Sequence, residues 1–118
     1  MDTENDYIAA TARLAVEMWK MSKVLEKVIA DLPNDKAERR LPQLRYSRDR
    51  LDIILQDAGL RLVTFDGEVF SANLPVTPVN ADEFEDNDNF VIETTLEPSI
   101  VGSDKVIYTG KVILSGCQ

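Results

Sequence analysis

The chain has 118 residues, 44% of them apolar, and a net charge of −8, which allows one domain, or a helical part with a small second lobe. It has no histidine, a single cysteine (Cys117) and no apolar run long enough to span a bilayer. Those absences exclude an internal disulfide, a cysteine-and-histidine zinc site and a membrane-spanning helix, and they lower the expectation of an enzyme.

The charge is unevenly spread. Residues 1–60 hold ten Lys and Arg against eleven Asp and Glu, and residues 61–118 hold three against ten. An acidic second half argues against nucleic acid, which needs a basic footprint, and suits a protein partner with a basic face. The first six residues carry three acids and no base, the wrong sign for a secretory leader, so a cytoplasmic protein is expected.

The first element is a long helix over residues 7–32. Alternating steps of four and three pick out Tyr7, Thr11, Leu14, Met18, Met21, Leu25, Val28 and Leu32, of which only Thr11 is not apolar. This spacing keeps one seam turned toward a partner helix. A helix of this length spans about 39 Å, against a radius of gyration of about 13 Å for a compact chain of this size, so part of the seam needs a second helix. Either that helix comes from the same chain, as the other arm of a hairpin, or Leu14, Met18, Met21, Leu25 and Val28 are dimerisation residues.

Pro33 ends the first helix. Asp35 with Glu38 resembles a capping box and starts a short turn, and Pro42 places the main start of the second helix near Leu41 or Pro42. Leu41, Leu44, Arg48, Leu51, Leu55 and Ala58 continue the apolar spacing, with Arg48 placed to snorkel or to pair with Asp52 one turn on. Gly59 reads as the residue that closes this helix. Arg39, Arg40, Arg45, Arg48 and Arg50 are interleaved with acids and read as a solvated face.

Beyond Gly59 the period falls to two. Residues 60–65 read as a strand, Asp66-Gly67 as a two-residue hairpin turn and 68–70 as the returning strand. Residues 71–81, with Pro75 and Pro78, read as an extended loop. Asp82, Glu83, Glu85, Asp86 and Asp88 lack the glycine of a calcium loop and read as a solvated acidic segment. Residues 90–96, 105–108 and 111–114 are β-rich, with turn chemistry at Val101-Gly102-Ser103-Asp104 and a bulge or close approach at Gly110. The fold class is therefore α+β: an antiparallel helical hairpin over 1–59, dimerising in the manner of a four-helix bundle, then a small antiparallel β-domain over 60–118.

Leu51 to Leu60 resembles the last helix of the GrpE-type nucleotide exchange factors of DnaK-type chaperones, which ends in glycine and runs into a strand. Asp66-Gly67-Glu68-Val69-Phe70 is similar to the family's Gly-Glu-x-Phe turn, and Asp104-Lys105-Val106-Ile107 with Val112-Ile113-Leu114-Ser115 looks like its closing hairpin. Ser71-Ala72 and Pro75-Val76-Thr77 stand where the family has Asp-Pro and His-Glu-Ala, and Ser99-Ile100 where it has Gly-Tyr. Tyr108-Thr109-Gly110 stands where it has Arg-Pro-Ala, an arginine that helps face the chaperone. The resemblance implies a homodimeric co-chaperone that binds the chaperone's ATPase domain through its β-domain and promotes nucleotide release, with no cofactor, no metal and no catalytic residue. Asp104, Lys105, Tyr108 and Lys111 are the expected contacts on the sheet. The alternative is a non-enzymatic adaptor that uses the same shape to bind an unrelated protein.

Overall fold

The computed structural model describes residues 3–83 and 89–116. The chain divides into two compact units, Met1–Arg61 and Leu62–Gln118.

The first unit is a hairpin of α1 (Thr3–Ala30) and α2 (Asn34–Asp57). No glycine or proline interrupts α1, and Glu4 and Asp6 in its first turn with Lys27 in its last complement the helix dipole. It ends before the expected Leu32 through two tight bonds, from the Asp31 amide to the Val28 carbonyl (3.2 Å) and from the Leu32 amide to the Ile29 carbonyl (3.0 Å).

The second helix starts at Asn34 rather than near Leu41, and it runs through Pro42. Its cap is Pro33, whose carbonyl accepts from the Lys36 and Ala37 amides at 3.0 and 2.9 Å. Asp35 lies inside the first turn and does not cap it. A proline inside a helix removes one backbone bond and crowds the preceding turn, at about 3 kcal/mol. The helix continues because Leu44, Leu51 and Leu55 beyond it are buried, while Pro42 itself is exposed, so the carbonyl it leaves unpaired lies on the watered side.

At its other end α2 closes as the sequence predicts. Gly59 has φ +75°, its amide donates to the Gln56 carbonyl (2.9 Å), and the Leu60 amide donates to the Leu55 carbonyl (2.8 Å). This is a Schellman closure, which a residue with a Cβ would strain.

The second unit holds two three-stranded sheets built from β1 (Arg61–Val63), β2 (Val76–Pro78), β3 (Phe90–Glu97), β4 (Ser99–Val101), β5 (Val106–Tyr108) and β6 (Gly110–Gly116). Their orders are β1-β4-β5 and β2-β6-β3. The β3–β6 and β4–β5 pairs are antiparallel, but β2 runs parallel to β6, with Val76 opposite Gly110 and Pro78 opposite Val112, so the second sheet is mixed. Asn80 prolongs that edge with its side chain, accepting from the Leu114 amide (2.9 Å) and donating to the Leu114 carbonyl (3.0 Å). Phe65, Val76, Ile92, Val112 and Leu114 form the core, with Val63, Phe70, Leu74 and Phe90 packed against it.

The Asp66-Gly67 turn forms, with the Glu68 amide on the Phe65 carbonyl at 3.0 Å, but residues 68–70 do not return along β1. Only Gly67, the second of the two central residues, has positive φ, whereas the two-residue turns that align strands need it at the first or at both. The flanking segments splay, and 68–70 lie along β3 instead, the Ile92 amide bonding the Glu68 carbonyl (2.8 Å) and the Phe70 amide the Phe90 carbonyl (3.0 Å). Thr95 secures the turn from below: its Oγ1 accepts from the Phe65 amide (3.0 Å) and its own amide donates to Asp66 Oδ1 (2.7 Å).

Candidate interaction surfaces

The helix α1 carries two stripes, one residue apart in register. The covered one is Ile8, Ala12, Ala15, Trp19, Ser22, Glu26 and Ile29, all buried or half-buried. It also carries the cross-helix polar bonds: Arg48 of α2 donates through Nε to Ser22 Oγ (3.2 Å) and through Nη2 to Glu26 Oε2. Arg48 therefore pairs across the hairpin, not with Asp52 on its own helix. Its hydrogen bond lowers the pKa of Glu26, against a smaller opposing push from burial, and the charges of Arg48 and Lys23 add to the lowering. Lys23 also lies over the Trp19 ring, 5.6 Å from its centroid.

The second stripe is the seam expected from the sequence, and α2 covers it only in part. Leu14 is 66% exposed, Met18 53%, Met21 65%, Leu25 49% and Val28 53%. One residue on a helix is about 100° of rotation, so the exposed stripe faces well away from the covered one. Two apolar hollows open beside it on the hairpin. One, of about 340 Å³, is lined among others by Leu14, Met18, Leu51 and Ile54, and the second, of about 480 Å³, by Met18, Met21, Leu25, Val28 and Leu44. Met18 belongs to both, so the hollows make one run along the helix pair. Exposed apolar faces of this length are of the kind that proteins use for association.

In the second unit the expected contact residues fall in two places. Asp104 and Lys105 are exposed in the turn between β4 and β5. Tyr108 closes β5, Lys111 lies near the start of β6, and both converge on Glu97. The Tyr108 hydroxyl donates to Glu97 Oε1 at 2.5 Å, and Lys111 Nζ lies 3.8 Å from the same oxygen. Glu97 is 8% exposed, and its strand register sets it opposite Lys111. Gly110 keeps that corner tight: a Cβ there would meet the Pro98 carbonyl carbon at 2.8 Å and the Ser99 amide nitrogen at 2.9 Å, with the Glu97 carbonyl oxygen closer still. Ser99 Oγ completes it, donating to the Pro75 carbonyl (2.5 Å) and accepting from the Gly110 amide (3.1 Å). Glu97 is absent from the sequence-based candidates because, at the end of a β-rich run, it reads as an ordinary strand terminus.

Of the acidic segment, Asp82 and Glu83 sit exposed in a short 3-10 turn, Ala81–Glu83, and residues 84–88 lie outside the described residues, as does Cys117. Among the described residues no group of three or more Asp, Glu, Cys or His could hold a metal ion, and no helix is long and apolar enough to cross a membrane. No family model, curated protein or solved structure matches the chain.

Proposed function

We propose that the chain is a GrpE-like nucleotide exchange factor that pairs with a second copy through α1 and binds the ATPase domain of a DnaK-type chaperone with its β unit. The observation that carries the reading is the exposed stripe Leu14, Met18, Met21, Leu25 and Val28 on a helix whose other stripe already closes the hairpin. A second copy offers a stripe of the same make, and two hairpins joined there form a four-helix assembly. The places of the resemblance support the rest: Gly59 closes the last helix just before β1, Gly67 turns at φ +85°, and β5 and β6 carry the closing segment.

Such a factor breaks no bond. It acts by binding the open, nucleotide-free form of the ATPase domain more tightly than the closed form, so that its binding and that of the nucleotide oppose each other. The test is release of a fluorescent nucleotide from a DnaK-type chaperone of the same cell, timed with and without the protein. Faster release supports the reading, and no acceleration at saturating protein overturns it.

One observation favours a second reading. Tyr108 stands where the family has its chaperone-facing arginine, so the cation of that contact is missing here. The same architecture would then serve a non-enzymatic dimeric adaptor that presents the acidic unit to an unrelated protein. A pull-down that retains a stoichiometric partner other than the chaperone selects this reading.

A further inference from the structure

We infer that Glu97 is the positioning residue of the partner-binding surface: it holds Tyr108 and Lys111 as one preorganised pair. The inference rests on the exchange-factor reading and goes beyond it by assigning the buried carboxylate a role. Three observations converge. Glu97 is nearly buried although charged, and a carboxylate is retained in such a place only with bonded partners. Its position is fixed by the backbone, through the pairing with Lys111 and the close approach of Gly110. The two groups it holds come from different sheets, Tyr108 from β5 and Lys111 from β6, and one carboxylate oxygen joins their side chains.

The Lys111 side chain remains 54% exposed, with its ammonium tethered at one side and open to a partner at the other. A lysine free on the surface samples many rotamers, and ordering it on encounter weakens binding. Here that ordering accompanies folding. Lys111 is also one of only three Lys and Arg in residues 61–118, so a partner group that accepts hydrogen bonds finds few other cations on this unit. The pair thus fits an oxygen acceptor on the ATPase domain, such as a carboxylate, with Tyr108 packed beside it.

The test is a cycle of wild type, Glu97→Gln, Lys111→Met and the double variant in the full chain. Affinity for the chaperone ATPase domain is measured by calorimetry, and the fold is checked by circular dichroism. Glutamine keeps an acceptor for Tyr108 and removes the charge that holds Lys111. Each single change should weaken binding about tenfold, with the double variant no weaker than either. Additive losses, about a hundredfold in the double variant, or an unaffected Glu97→Gln overturn the inference. A partner-free arm reads the NMR signals of the Tyr108 ring and Lys111 ammonium. The Lys111 ammonium should shift and broaden in Glu97→Gln while the Tyr108 ring, which keeps an acceptor, changes little, and an unchanged Lys111 signal also overturns the inference. If wild type does not bind the ATPase domain at all, the exchange-factor reading has failed and this inference falls with it. Binding by wild type with no coupling in the cycle removes the inference alone.

Discussion

Replacing Met18 and Leu25 by glutamate should dissociate the protein without unfolding it. In a single chain these residues are 53% and 49% exposed, so the hairpin derives only about half of what full burial would supply. Full burial of such a side chain is worth about 1.5–3 kcal/mol, which puts the loss to the hairpin near 1 kcal/mol per site. Glutamate forms helix about as readily as methionine or leucine, so α1 itself is spared. In a pair of copies the same change acts at four sites. Each forfeits the remaining burial, again about 1 kcal/mol, and adds the cost of bringing a charge toward an apolar seam. A loss of about 4 kcal/mol or more raises the dissociation constant roughly a thousandfold. Light scattering across a concentration series, with far-ultraviolet circular dichroism on the same samples, reads both effects. Wild type should run as a dimer, and the variant as a monomer with unchanged helix content. A folded variant that stays dimeric would show that this stripe does not join the copies. A wild type that is monomeric throughout would show that there is no pair to join.

Pro42→Ala restores a helical amide and relieves the crowded turn, so it should raise the denaturant midpoint, by up to about 3 kcal/mol and in practice less; an unchanged or lowered midpoint would mean that the proline is accommodated at no cost. Gly110→Ala forces a methyl group against three backbone atoms of Glu97, Pro98 and Ser99, none of which can swing aside. A loss of about 1–3 kcal/mol is expected in urea unfolding, and a neutral result would contradict the close approach. The hairpin should also weaken in acid. The folded pKa of Glu26 lies below its ordinary 4.5, so its share of stability is present in full above that pH and disappears as pH falls through the lowered value. Urea midpoints measured from neutral pH downward should therefore drop more steeply below about pH 4.5 in wild type than in Glu26→Gln.

Much of this architecture is legible in the residues. The 3.5-residue spacing of α1, the proline at 33, the glycine at 59 and the β-branched run at 90–96 each report a local preference that the fold keeps. Three features are not legible, for separate reasons. The start of α2 is hidden because Pro42 is a breaker by local rules, and burial of leucines further along overrides it. The path after Gly67 depends on the sign of φ at Asp66, which the dipeptide leaves open. The parallel edge of β2 depends on a strand 34 residues away in the chain, beyond the reach of any pattern in its own three residues.

The candidate surfaces divide in the same way. Periodicity identifies the apolar seam of α1 but not which stripe the hairpin uses, because Ile8, Ala12, Ala15 and Trp19 make a second repeat displaced by one residue. Small alanines let two backbones approach, and they cover easily. The bulky leucines, methionines and valine are the ones left outside. The importance of Glu97 depends on two residues that lie 11 and 14 positions further along, and only the folded sheets bring all three together.

Because the two repeats on α1 share no residue, sequence change can reach them separately. A substitution at Met21 alters the exposed repeat while Ser22, its neighbour, keeps its bond to Arg48 and the hairpin its register. Insertion or deletion of one residue inside α1 has no such freedom: it turns every later position by about 100° and carries the inner repeat out of the hairpin. This rod should therefore tolerate many replacements along its length and almost no change in length.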